Sequence, residues 1–209
     1  MFGLFRRPPP ICDTGALADF IDQHAAFLVQ KGIYEYSRAR AGHYAKVLFK
    51  ESDFQQAVER ARWRAYPLGL AMVAELVQGM LRPHVHDNRG VVHDVLVALV
   101  LAVFDRYPTP AALDEVAWSD ARRELDEHLA RIDLHAPKFA KDIPEPFARA
   151  YFDLMPIHAK LRTSEFPTIR NYLRVTMCNI HDELSKRMDA SAMAALLSTT
   201  SKADGVTAG

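Results

Sequence analysis

The stretch from about Glu165 to Met188 constrains this chain more than any other, because Phe166, Ile169, Leu173, Met177, Ile180 and Leu184 recur at steps of three and four residues. That spacing lays one unbroken apolar stripe along an α-helix, whereas the side chains of a strand alternate with period two. A stripe of this length must pack against other elements, so the remainder of the chain is read for helices that could cover it.

The same period returns from Thr14 to Lys31, where Leu17, Phe20, Ile21, His24, Phe27 and Leu28 share a face and Asp13 or Thr14 supplies the N-cap. This helix is expected to run on past Gly32 toward Arg40. Ser52 and Gln55 have capping-box spacing and open a helix from Asp53, and Pro67 inside it predicts a kink and two helical halves. The second half, Leu68 to Leu81, is apolar on nearly every side except for Glu75 and Gln78, which predicts a place in the middle of a bundle.

Val92 to Tyr107 is rich in valine, but its length and helical neighbours predict a buried helix. Thr109-Pro110 has the pattern of a cap followed by a first-turn proline, and Leu125, His128, Leu129 and Ile132 show helical spacing beyond it. A proline-bearing connector from Pro137 to Pro146 then leads to a short helix, Phe147 to Leu154, ended by Pro156. The expectation is an all-α, single-domain bundle of about six to eight helices. Residues 13–189 form the domain, residues 1–12 a flexible segment, and residues 190–209, dominated by Ala, Ser, Thr and Gly, a disordered tail.

A chain of 209 residues can bury a full core, and 49% apolar with 25% charged residues is the balance of a folded domain. Lys plus Arg equals Asp plus Glu at 26 each, so no long-range field draws the chain to nucleic acid or anionic lipid, and such binding would need a local patch. The longest apolar run, Val95 to Phe104, is about half of the roughly 20 residues that span a bilayer. Two cysteines without C-x-x-C spacing, Cys12 and Cys178, and a first segment lacking a signal-peptide core point to a cytoplasmic protein with reduced thiols.

Phosphate-loop, dinucleotide, serine-hydrolase and zincin signatures are absent, as is the Glu-x-x-His of a di-iron bundle. His84, His86 and His93, with Asp87, are the densest metal-like group, set in a turn and the helix start after it. His24, inside the apolar stripe of the first helix, is a candidate cofactor ligand such as a haem would use. Glu75 in an apolar helix is a candidate for proton transfer, because isolated burial raises a carboxyl pKa, although a cation from a neighbouring helix would neutralise it.

Lys160, Arg162, Arg170 and Arg174 gather at the entrance of the long helix as a candidate anion site. Basic residues mix with aromatics twice, in Tyr34, Tyr36, Arg38, Arg40, His43, Tyr44 and Lys46, and again in Arg60, Arg62, Trp63 and Arg64. On a helix Arg60 and Arg64 align while Trp63 points elsewhere. The opening Phe2, Leu4, Phe5, Arg6 and Arg7 form a pattern for peripheral membrane contact. Three functions are consistent with these features: a non-catalytic protein that binds a protein partner or itself, a haem- or metal-binding oxidoreductase bundle, and a peripheral membrane or nucleic-acid factor.

Overall fold

The computed structural model describes residues 8–85, 87–158 and 164–204, with side chains to Thr199. Among the described residues there are eight α-helices: α1 (Thr14–Ala41), α2 (Ala45–Leu48), α3 (Ser52–Leu81), α4 (Arg89–Phe104), α5 (Glu115–Leu129), α6 (Ala148–Asp153), α7 (Phe166–Arg187) and α8 (Ala190–Asp204). There is no strand among the described residues, and the fold is a single-domain all-α bundle.

The centre of the bundle is the α1–α3 pair, and glycine makes it close. A Cβ on Gly69 would lie 2.6 Å from the Ala25 carbonyl oxygen, so only glycine lets α3 cross α1 at this separation. Two tyrosines then tie other helices to the α1 backbone. Tyr151 of α6 donates its hydroxyl to the Val29 carbonyl at 2.8 Å, and Tyr172 of α7 donates to the Leu28 carbonyl at 3.0 Å. Burial pushes both phenols up, that of Tyr172 to about 12, so they remain donors. On the other side, Asp22 accepts hydrogen bonds from Tyr66 and Tyr107, whose rings pack with Trp63.

Several local expectations differ from the structure. Of the two cap candidates, Asp13 rather than Thr14 caps α1, accepting from the Ala16 amide at 2.7 Å. The Ser52–Gln55 box does not form: Ser52 donates to Asp53, and Gln55 donates instead to the Phe49 carbonyl. The helix runs through Pro67 as one element, because the flanking turns are held by α1 on the side where Gly69 fits. Asp114, rather than Thr109, caps α5 by accepting from the Ala117 amide, and the Thr109-Pro110 step lies in the turn before it.

Both ends of the domain are tighter than composition implies. The stretch expected to be a disordered tail forms α8 from Ala190 to Asp204, capped by Asp189, with Met193, Ala194 and Leu197 buried. There α8 seats on α4 through Met193, Ala194 and Leu197, with Ala190 and Leu196 partly buried against the same core. Within the segment 1–12, Ile11 is buried and pairs with the end of α7, donating its amide to the Arg187 carbonyl at 2.8 Å. The Phe2–Arg7 pattern lies outside the described residues. Finally, α4 is apolar from Val95 onward and leaves only a narrow stripe open: Val92, Leu96, Val100, Val103 and Phe104 are buried and Val95, Val97, Leu99 and Leu101 partly buried, while Asp94, Ala98 and Ala102 are exposed.

Candidate functional site

A groove of about 900 Å³ runs between α3, α5 and α6. Helical periodicity explains its chemistry. On α3, Arg60 and Arg64 lie one turn apart on the rim, and Pro67, Leu68 and Ala71 continue the same wall as an apolar floor. On α5, Asp120 and Glu124 lie one turn apart on the facing rim, with Ala121 and Leu125 below them. Phe147 and Leu154 close the α6 side.

The rim is charged with opposite signs on its two walls. Arg60, Arg64 and Glu124 make no ion pair among the described residues, and Asp120 meets only Arg123 on its own helix, at 2.9 Å. The floor, by contrast, is apolar. Trp63 turns away from the groove, as its position between the two arginines requires, donating its indole N–H to Glu59 at 2.7 Å and packing edge-on to Trp118.

At the head of the groove stands His128, the last polar residue of α5, and behind it lies Glu75 of α3, only 4% exposed. Lys138 from the connector after α5 reaches within 2.7 Å of the Glu75 carboxylate, His135 within 3.7 Å and His128 within 3.9 Å. Burial alone would push the Glu75 carboxyl up, but His128, Lys138 and the charge of His135 outweigh it and hold the carboxyl below its ordinary value. Glu75 is thus kept as a carboxylate, the reverse of the raised pKa expected for isolated burial.

The arrangement is first of all a clamp. The connector carrying His135 and Lys138 is also held at Asp133, which accepts from Gln78 at 2.8 Å and Arg89 at 2.8 Å while Arg82 donates to its carbonyl at 3.2 Å. His128 is the one member that reaches the groove, where its ring packs edge-on to Phe147 at 4.7 Å and can exchange a hydrogen bond with a bound molecule.

The other sequence candidates fall elsewhere. His24 is half-buried between Phe20 and Glu183, its Nε2 3.4 Å from the carboxylate, and burial lowers its pKa despite that neighbour. It packs α1 against α7 and does not line the groove. Among the described residues no three His, Cys, Asp or Glu side chains are placed to hold a metal. His84 is exposed, His93 is half-buried, and His86 lies outside the described residues.

Arg170 donates to Glu145 at 2.8 Å, and Arg174 donates to the Lys141 carbonyl with Asp142 and Glu145 3.8 Å away, so carboxylates of the connector already occupy this basic pair. Lys160 and Arg162 lie outside the described residues. Cys12 and Cys178 are both free thiols, and no described helix is long and apolar enough to cross a membrane.

What the sequence reasoning missed is the partner set of Glu75 and the acidic wall of the groove. Arg60 and Arg64 carried a legible signal in their one-turn spacing, and so do Asp120 and Glu124. Nothing local marks His128, His135 and Lys138, which the chain brings to Glu75 only by folding α5 and its connector back across α3. Comparison with protein families, with curated proteins and with solved structures found no match to this chain.

Proposed function

We propose that this is a non-catalytic partner-binding protein whose groove receives an amphipathic helix of another protein. The observation that supports this reading is the groove's two facing rims of opposite charge, which form no ion pair across it, above an apolar floor. An occupant with matching chemistry has an apolar stripe for Pro67, Leu68, Ala121 and Leu154. It carries an acidic flank toward Arg60 and Arg64, and a basic flank toward Asp120 and Glu124. From Arg60 to Ala71 the wall is about 16 Å long at 1.5 Å per residue, room for about three helical turns.

The free thiols at Cys12 and Cys178 fit a reducing compartment, and a cytoplasmic place of action belongs to the same proposal. The test is a photoreactive residue at Ala121, in the groove floor, with the same group at exposed Asn179 on α7 as control. The expected result is a groove-specific adduct in the native host, mapped by mass spectrometry to a helical segment with one acidic and one basic flank. Equal labelling from both positions, or an adduct on a segment without that pattern, contradicts the proposal.

A further inference from the structure

The chain passes from α1 to α3 through an elbow, Gly42–Leu48, made of one 3-10 turn and the four-residue α2. Gly42 ends α1 at φ +50, a conformation that favours glycine, and neither short element can bury a face of its own. Tyr44 and Val47 therefore project from it 71% and 60% exposed, beside Tyr34, which is also exposed. Behind them the elbow is braced: Tyr34 packs edge-on to Phe49 at 5.0 Å, Phe49 packs on Phe54 at 5.1 Å, and Gln55 donates to the Phe49 carbonyl at 2.7 Å. The apolar tip is thus held outward by structure beneath it.

Charge is concentrated at the same place. No acidic residue lies between Glu35 and Glu51, whereas Arg38, Arg40, Lys46 and Lys50 fall within that interval, in a chain whose formal net charge is zero. Arg40 is paired with Glu165 at 2.8 Å. Arg38, Lys46 and Lys50 are exposed and make no ion pair among the described residues. Exposed aromatic and aliphatic side chains at a tip and unpaired cations close to them in the chain are the two components of interfacial membrane binding.

We propose that the elbow is a docking surface for an anionic lipid bilayer, with Tyr44 and Val47 entering the interface and Arg38, Lys46 and Lys50 meeting lipid phosphates. Val47 decides between lipid and RNA. An aliphatic side chain gains nothing from base stacking, which needs a planar partner, but does gain from the acyl boundary. Three cations and two inserted side chains give reversible, salt-sensitive attachment. This surface is separate from the groove, so either proposal can fail without the other.

The experiment is sedimentation of the full chain with vesicles of phosphatidylcholine alone and of phosphatidylcholine with phosphatidylserine. Binding is expected with phosphatidylserine present and is expected to fade with added salt. Lys46→Gln and Lys50→Gln each weaken it about fivefold, the contribution of one basic residue near an anionic leaflet. Val47→Asp removes most of it at unchanged circular dichroism, and the double variant Lys46→Arg/Lys50→Arg retains it. No binding to the anionic vesicles, or binding indifferent to Val47→Asp and to both lysines, overturns the proposal. Tighter binding to a single-stranded RNA oligonucleotide that ignores Val47→Asp overturns it as well.

Discussion

Two sets of charged residues share helix α3, and they are handled in opposite ways. Glu75 is buried, and three basic side chains from α5 and the connector converge on it. Arg60 and Arg64, farther toward the start of the same helix, face acidic residues across an open groove without touching them. The first set shows a charge made compatible with the core by bringing its partners along the chain. The second shows charges whose counterparts are held apart by the width of the groove, which is the arrangement an inserted ligand would complete. Charge of itself is no sign of function; what distinguishes the two sets is whether the fold brings the opposite charges into contact.

The largest effect that can sharpen this contrast is expected from Lys138→Met. It leaves Glu75 buried beside two histidines alone, and losing one partner of a buried pair costs about 3–5 kcal/mol, here at the lower end because His128 and His135 remain. Urea unfolding at neutral pH measures it.

The pH dependence of that loss carries its own sign. In the wild type the Glu75 carboxyl lies below its ordinary value, so its stabilising contribution is present above the unfolded-state value of about 4.3 and is lost as pH falls through the lowered one. In Lys138→Met burial acts with less opposition, the folded-state pKa rises, and the variant gains stability as the carboxyl is protonated. The gap between variant and wild type therefore narrows as pH falls from 7 toward about 5. A gap that stays constant across that range would show that Lys138 acts by packing rather than by charge.

Glu75→Gln is expected to be milder, about 1–3 kcal/mol, because Lys138 and His135 are partly exposed and can turn to water when the carboxylate is gone. Smallest of all is the rim. Arg64→Glu with Glu124→Lys exchanges two exposed side chains that pair with nothing among the described residues, and the change in unfolding free energy should stay within about 0.5 kcal/mol.

The sequence carried the helices further than it carried their environments. Asp13, with an oxygen three residues ahead of an orphan amide, was legible as a cap, and the Phe166–Leu184 stripe as a helix, because both are local geometry. The second half of α3 and the later part of α4 look alike as apolar helices, yet one is surrounded and the other leaves Ala98 and Ala102 open. Hydropathy states what burial would gain and is silent on how many neighbours arrive.

The tail past Asp189 shows the converse. Small residues at low hydropathy read as disorder, but Met193, Ala194 and Leu197 seat α8 on an apolar neighbour. At the site, Glu75 could be singled out because a lone carboxylate in an apolar run is conspicuous. His128, His135 and Lys138 could not, since each is ordinary in its own neighbourhood and gains meaning only across the fold.

The claim that the rim charges serve a partner rather than the fold is tested most directly by one paired measurement on Arg64→Glu/Glu124→Lys: unfolding free energy in urea beside the yield of the adduct formed from Ala121. Stability is expected to stay unchanged within about 0.5 kcal/mol and the adduct to be lost. A variant destabilised by more than about 1 kcal/mol with its adduct yield intact would contradict that claim, and would place Arg64 and Glu124 among the residues that hold the bundle together.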